Sequence, residues 1–376
     1  MKMNTYDLII KAGKVFCSDT KLNTPGAIGI KDGKIVEFNA DIKTKSIKTL
    51  NYPKGTLLPG FIDLHTHPAP SHWKYGMEAD RFLLSRGTTT TMSQGDAGSN
   101  NWDKYKKAII QKSKIDIYMA LSAASNGEEY DHPVFESFED IDINQAVETI
   151  KNDPKLIWGI SANLSETCTY IHKPQNIMSK VLEMAEKSSK PILYGMRWEP
   201  FDWEIKDQLA LLRANDVVTY CFHVGPGGLA PKGHVEDSVW EAKENGIKFD
   251  IGHGMNSFNF EVTETAIRDG FLPDSISTDY YYRHTNTLPI HDVPHTISKL
   301  IASGMNQNDA FERATFFPAK ILGLEDQIGT LSIGSVADIV VIEQNPKNSE
   351  LIDVNGNKRS GKLWEPVLTI KSGEII

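Results

Sequence analysis

Cysteine is scarce in this chain. There are three in 376 residues, Cys17, Cys168 and Cys221, odd in number and far apart. That argues against a disulfide framework. Long apolar runs are missing too: nothing approaches the roughly 18 residues that a membrane span needs. The first fourteen residues hold only Leu8-Ile9-Ile10 as an apolar stretch, preceded by Asp7. No secretory signal peptide is expected there, and the cytoplasm is the expected compartment. Positive charge is in deficit, with 40 Lys and Arg against 49 Asp and Glu and a net charge of -9. Nucleic acid and anionic membrane are therefore not expected as partners. A small molecule, even an anionic one, stays compatible, because local charge can oppose net charge. Self-association into a homo-oligomer stays open. Internal repeats and low-complexity segments are also lacking.

What is present is patterned in two ways. Near the start, Tyr6-Asp7-Leu8-Ile9-Ile10 and Ala27-Ile28-Gly29-Ile30 are strand-like, and Asp32-Gly33 carries a hairpin signal. The tail repeats the style at Ile339-Val340-Val341-Ile342 and Leu368-Thr369-Ile370. Residues 1–56 and 327–376 are therefore expected to form one small β domain. The middle, 57–326, alternates strand-sized apolar runs with helical patterns. The runs lie at 58–64, 88–92, 115–121, 156–160, 191–194, 217–222, 247–251 and 274–278. Between them, Ile177, Val181, Met184 and Ala185 keep helical spacing, as do Val235, Val239 and Ala242. Eight strands alternating with helices predict an α/β fold, a (β/α)8 barrel rather than a doubly wound sheet.

The stretch that carries chemistry is Pro59-Gly60-Phe61-Ile62-Asp63-Leu64-His65-Thr66-His67. Residues two apart on a strand share a face, so His65 and His67 point the same way. They stand at the C-terminal end of the first barrel strand, where barrel enzymes place their sites. Two imidazoles so spaced suit a divalent metal. A bare His-x-His is more often two surface histidines; the Pro-Gly turn and apolar strand before it tip the reading to metal.

These residues resemble the first-strand signature of the amidohydrolase superfamily. Ser277-Thr278-Asp279 is similar to its last-strand aspartate. The stretch Ile328-Gly329-Thr330-Leu331 through Ala337-Asp338 is similar to its return into a terminal β-sandwich. Phe249-Asp250-Ile251-Gly252-His253-Gly254 and the run from Gly270 to Asp279 resemble the dihydroorotase-like amidohydrolase/deacetylase branch. The resemblance implies a metal-dependent hydrolase of C–N bonds in amides, cyclic amides or N-acyl groups. It further implies that Asp279 is both ligand and proton shuttle. A closed barrel would set Asp279 beside His65 and His67, giving the three protein ligands of catalytic zinc.

The departures are equally informative. The superfamily's bridging lysine falls at Ser161, its strand-five histidine at Gly195 and its strand-six histidine at Tyr220. A binuclear centre is not expected. One divalent metal, expected to be zinc, is left to His65, His67 and Asp279. His253 is expected to assist catalysis. Arg197, Tyr220, His223 and His284 are expected to bind substrate, with Arg197 gripping an anionic group. For Arg197 the bland alternative is a structural salt bridge, and for His223 and His253 an ordinary loop histidine. Asp96, Glu166 and Cys168 sit at strand ends where a substitute ligand could come from. Two other readings keep the fold: a barrel with proton-transfer or isomerase chemistry, and a non-catalytic small-molecule-binding barrel.

Overall fold

The computed structural model describes residues 5–285 and 287–376. Four strands open the chain: β1 (Tyr6–Cys17), β2 (Leu22–Lys31), β3 (Lys34–Asn39) and β4 (Ser46–Pro59). Seven follow in the middle: β5 (Phe61–Thr66), β6 (Thr88–Gln94), β7 (Asp116–Ser122), β8 (Ile157–Asn163), β9 (Ile192–Gly195), β10 (Val217–Thr219) and β11 (Lys248–Phe249). Three close it: β12 (Ile339–Ile352), β13 (Lys358–Lys371) and β14 (Glu374–Ile375).

Both ends of the chain enter one hydrogen-bonded sheet, in the order β14-β13-β12-β4-β1-β2-β3. The join is the antiparallel pairing of β12 with β4, where Ile339 faces Pro59 and Ile342 faces Thr56. Leu8, Ile10, Val15, Ile28, Ile30, Leu57, Val341 and Ile370 form its own apolar cluster. The terminal sheet runs three residues past 56, because Leu57, Leu58 and Pro59 pair with β12 rather than with the middle of the chain. Gly60 then turns the chain directly into β5. Only glycine fits there, since a Cβ would stand 2.2 Å from Thr89 Oγ1.

The middle strands form a parallel sheet in sequential order, β5 to β11. Each is followed by helical or loop segments, as parallel pairing requires. β5 and β6 are buried along their whole length, as expected of strands covered on both faces. Ile62, Leu64, Met92, Ala120, Trp158, Leu193 and Val217, one or two from each of six successive strands, pack as one cluster. Helices appear at Pro174–Ser188 and Asp237–Glu244, the second leaving Val235 of its pattern just ahead of its start.

The eighth run differs from expectation. Residues 275–280 form no strand and are tied in by isolated bridges, Asp250 with Ser275 on one side and Thr66 with Tyr280 on the other. The reason is local: Asp279 has φ +48°, a left-handed turn that interrupts a ladder. Among the described residues, no helix is long and apolar enough to cross a membrane.

A buried ion pair at the edge of the terminal sheet reaches the middle sheet through a half-exposed carboxylate. The Lys371 ammonium, at the end of β13, lies 2.6 Å from Asp338 and 2.6 Å from Asp116 at the start of β7. Lys371 and Asp338 are both buried. Removing one partner leaves the other charge uncompensated. Lys371→Met should therefore lower unfolding free energy by about 3–5 kcal/mol in a denaturant titration. Lys371→Met with Asp338→Asn should recover part of that loss. A single variant as stable as wild type would deny the pair this role.

Candidate functional site

The strand ends converge on a cavity of about 260 Å³. Its floor is built from β5 and the 275–280 segment. The Asp279 N–H donates to the His65 carbonyl at 2.7 Å, and the His67 N–H donates to the Tyr280 carbonyl at 3.1 Å. These two bonds carry the Asp279 carboxylate over the histidine pair. Its Oδ1 lies 3.2 Å from His67 Nε2 and 3.5 Å from His65 Nε2.

The far ring nitrogens fix which protons the histidines hold. The Thr219 hydroxyl donates to Asp250 Oδ2 at 2.9 Å, so it must accept from His65 Nδ1–H, also at 2.9 Å. Ser277 donates to the same Asp250 oxygen and Ser275 to the other. His67 Nδ1 lies 2.9 Å from Asp96 Oδ1, while Ser93 donates to Asp96 Oδ2 at 2.6 Å. With both rings neutral and protonated at Nδ1, both Nε2 lone pairs would face the Asp279 oxygen. Such a convergence is answered by a proton on His67 Nε2 or by a metal ion that takes its place.

That is the test for a metal, and the residues fit. Ligand atoms held by a tetrahedral zinc at about 2.0–2.1 Å lie roughly 3.4 Å from one another, close to the two separations above. A carboxylate behind a ligating imidazole, as Asp96 stands behind His67, is the usual orienting partner. His65, His67 and Asp279 form one group of potential ligands.

Burial and neighbours set the charges without an ion. Burial and then the His67 charge push His65 well below its ordinary range. Burial opposes charge on His67, but Asp96 and Glu128 outweigh it and hold that imidazole well above its ordinary range. Burial pushes the Asp279 carboxyl up to about 6, against the pull of His67.

The expected site residues separate into two groups. Tyr220 lines the cavity with φ +71°, its hydroxyl 3.4 Å from His65 Nε2 and 3.3 Å from Asn163 Nδ2. Glu166 and Cys168 also line it, burial pushing the thiol up to about 11. The others face elsewhere. Arg197 is spent on Asp202 through two hydrogen bonds of 2.6 and 2.8 Å, on the Leu164 carbonyl and on Thr169. It does not line the cavity, so the expectation that it grips an anion there loses its basis. His253 is buried, donating from Nδ1 to the Gly254 carbonyl and meeting Lys299 Nζ at 2.8 Å with Nε2. Burial and the Lys299 charge push it well below its ordinary range, and it too stays outside the cavity wall. His223 bonds the Tyr220 carbonyl at 2.7 Å and packs at a tilt against Trp198, lining a neighbouring groove. His284 is buried against Tyr281 and lies 3.1 Å from His291.

At Ser161 the hydroxyl accepts from Gln94 Nε2 at 2.8 Å. A neutral hydrogen bond thus occupies the place expected of a bridging lysine. At Gly195 a Cβ would lie 3.0 Å from Asn163. The sequence reading missed Glu128, Tyr75, Asn163 and Trp198, all in the cavity wall.

Comparison with known proteins bears on the family and the class of reaction. The model of the amidohydrolase family matches residues 236–376. A deacetylase of Enterococcus faecalis is 30% identical over 98% of this chain and 99% of its own length. A deacetylase of Brucella anthropi is 28% identical over 99% of this chain and 88% of its own. Among solved structures, an adenine deaminase aligns with TM-score 0.89 and 28% identity over 99% of both chains. A dihydroorotase aligns with TM-score 0.87 and 26% identity over 98% of both. The chain belongs to the amidohydrolase family. It is a hydrolase acting on carbon–nitrogen bonds other than peptide bonds.

Gly254 offers a direct test of the arrangement. It has φ +44°, and a Cβ there would stand 2.5 Å from Asp279 Oδ2. Gly254→Ala should displace the carboxylate and cut turnover about 10²-fold, the cost of a misplacement near 1 Å. Gly233 has φ +77° with nothing within 4 Å. Gly233→Ala should cost stability alone, with activity unchanged. Equal activity in the two variants would show that the Gly254 contact does not hold Asp279.

Proposed function

We propose that this chain is a mononuclear metal-dependent amidohydrolase that cleaves the C–N bond of an amide, cyclic amide or N-acyl group in a small polar molecule. The single observation that carries this reading is the convergence of His65 Nε2, His67 Nε2 and Asp279 Oδ1 at separations close to those a tetrahedral ion would set. The same reading takes the middle of the chain, from the strand after Gly60 to 326, as a closed (β/α)8 barrel whose eighth stave is 275–280. It takes 1–56 and 327–376 as a terminal β-sandwich.

His65, His67 and Asp279 would hold the ion. When bound, a divalent ion there lowers the pKa of a water and polarises a carbonyl oxygen. Asp279 takes the proton from the attacking water. The water oxygen bonds to the carbonyl carbon, the C–N bond breaks, and Asp279 returns the proton to the leaving nitrogen. A carboxyl raised by burial is a better base than one in water. Tyr220 stays protonated, because burial pushes its hydroxyl well above its ordinary range. Held by Asn163, it can donate to the oxygen that gains charge as the carbonyl is attacked. Asp96 keeps His67 in the tautomer whose Nε2 is free.

Two measurements test this. Asp279→Asn keeps the shape and tolerates the left-handed backbone, but it removes the base. It should lower kcat by roughly 10²–10⁴ with the folded state retained. Full activity in this variant would move the shuttle to another residue. Metal analysis should find one equivalent per chain, and a chelator should abolish hydrolysis. Two equivalents would contradict a mononuclear centre.

A further inference from the structure

The charge layout of the cavity wall has no use in the mechanism above. Among the described residues, neither lysine nor arginine lines it. Glu128, Glu166 and Glu199 do, besides Asp279. Lys74 spends its ammonium on the His132 carbonyl at 3.1 Å, and Arg197 is paired with Asp202. The two charges of a divalent ion would be matched by Asp279 and Asp96. Among the described residues, Glu166 and Glu199 then have no ion-pair partner on the wall, and Glu128 has only His67, which it shares with Asp96.

Glu128 stands out among them. It is 4% exposed, and its Oε2 makes no hydrogen bond among the described residues. Its one close contact with a base is 3.2 Å to His67 Nδ1. That nitrogen already serves Asp96 at 2.9 Å, and it has one proton to give. A second carboxylate adds nothing to the orientation of His67. Burying an unpaired carboxylate is costly, and native proteins keep one only where something answers it. The walls beside it are aromatic. Tyr75 and Tyr281 have centroids 4.8 Å apart, and Trp198 and Tyr220 have centroids 5.4 Å apart. Buried carboxylate together with aromatic faces is the chemistry that recognises an organic cation.

We infer that the cavity selects a substrate carrying an ammonium or amidinium group, held by Glu128 and the aromatic walls, at a short distance from the bond that is cut. This rests on the amidohydrolase reading for the cut bond and replaces the expected anionic substrate with a cationic one.

Three probes of equal length separate the cases: N-acetylcadaverine (cation), N-hexylacetamide (neutral) and 6-acetamidohexanoate (anion). Binding to the metal-loaded enzyme is measured by calorimetry. The cation should bind about tenfold or more tighter than the neutral probe, the scale of a hydrogen bond to a charged group. The anion should bind weakest. Glu128→Gln should remove most of the preference. Should that variant fail to fold, the exposed pair Glu166→Gln and Glu199→Gln should reduce the same preference. Equal or tighter binding of the anion, no binding of any probe, or a preference unchanged in every variant would overturn the inference. Turnover is scored separately. Cation preference without cleavage of any probe supports the inference and counts against hydrolysis. Cleavage led by the anion upholds hydrolysis and overturns the cation.

Discussion

The site hangs on Asp63, a buried carboxylate in the middle of β5. Its Oδ1 accepts from the His65 N–H and the Thr278 N–H, both at 3.1 Å, and its Oδ2 accepts from the Thr278 hydroxyl at 2.6 Å. One side chain thus staples the segment before Asp279 to the strand that carries both histidines. Burial pushes the Asp63 carboxyl up to about 8 against the pull of those donors. A carboxyl with so many donors is fixed in direction even where its charge is disfavoured. Without it, the segment before Asp279 would lose its side-chain tie to the strand that carries both histidines.

Around that staple the fold stores strain where the chemistry is. Asp279 and Tyr220 are both left-handed non-glycine residues, each costing on the order of 1–3 kcal/mol. The return is direction. At Asp279 the turn lifts the carboxylate off the sheet and over the imidazoles. At Tyr220 it brings the ring to 5.1 Å from His65. Asp250, Thr219, Ser275 and Ser277 form the second support, a buried network that fixes the His65 tautomer from behind. The terminal sheet contributes through Lys371 and through Gly60, which lets β4 run into β5 without a loop.

How much of this the sequence shows depends on the range of each signal. The His65–His67 pair is legible because period-two spacing in one strand needs no tertiary information. Asp279 is legible because strand order puts the last run beside the first. Arg197 and His253 are misread for one reason. A residue just past a strand can turn inward or outward, and its partner decides. Asp202 is five residues from Arg197 but in an irregular loop, and Lys299 is 46 residues from His253 on a helix. Glu128 and Tyr75 come from loops without periodicity, so no pattern marks them. The eighth strand is misjudged as regular because a single left-handed aspartate leaves no trace in composition.

The replaced ligands and the charge layout belong to one account. Ser161, Gly195 and Tyr220 are uncharged, and Gln94 satisfies Ser161, so nothing on that side demands a second cation. His67, Asp96 and Glu128 do lie close enough to be taken for another ligand group. To serve a second ion, His67 would have to give up its Nδ1 proton while its Nε2 held the first. That proton is the one that pairs His67 with Asp96 and keeps Nε2 directed at Asp279. A second ion would therefore dismantle the support of the first. Glu128 is left as a buried carboxylate at the cavity wall that neither the fold nor a single ion satisfies, and what satisfies it must arrive with the substrate.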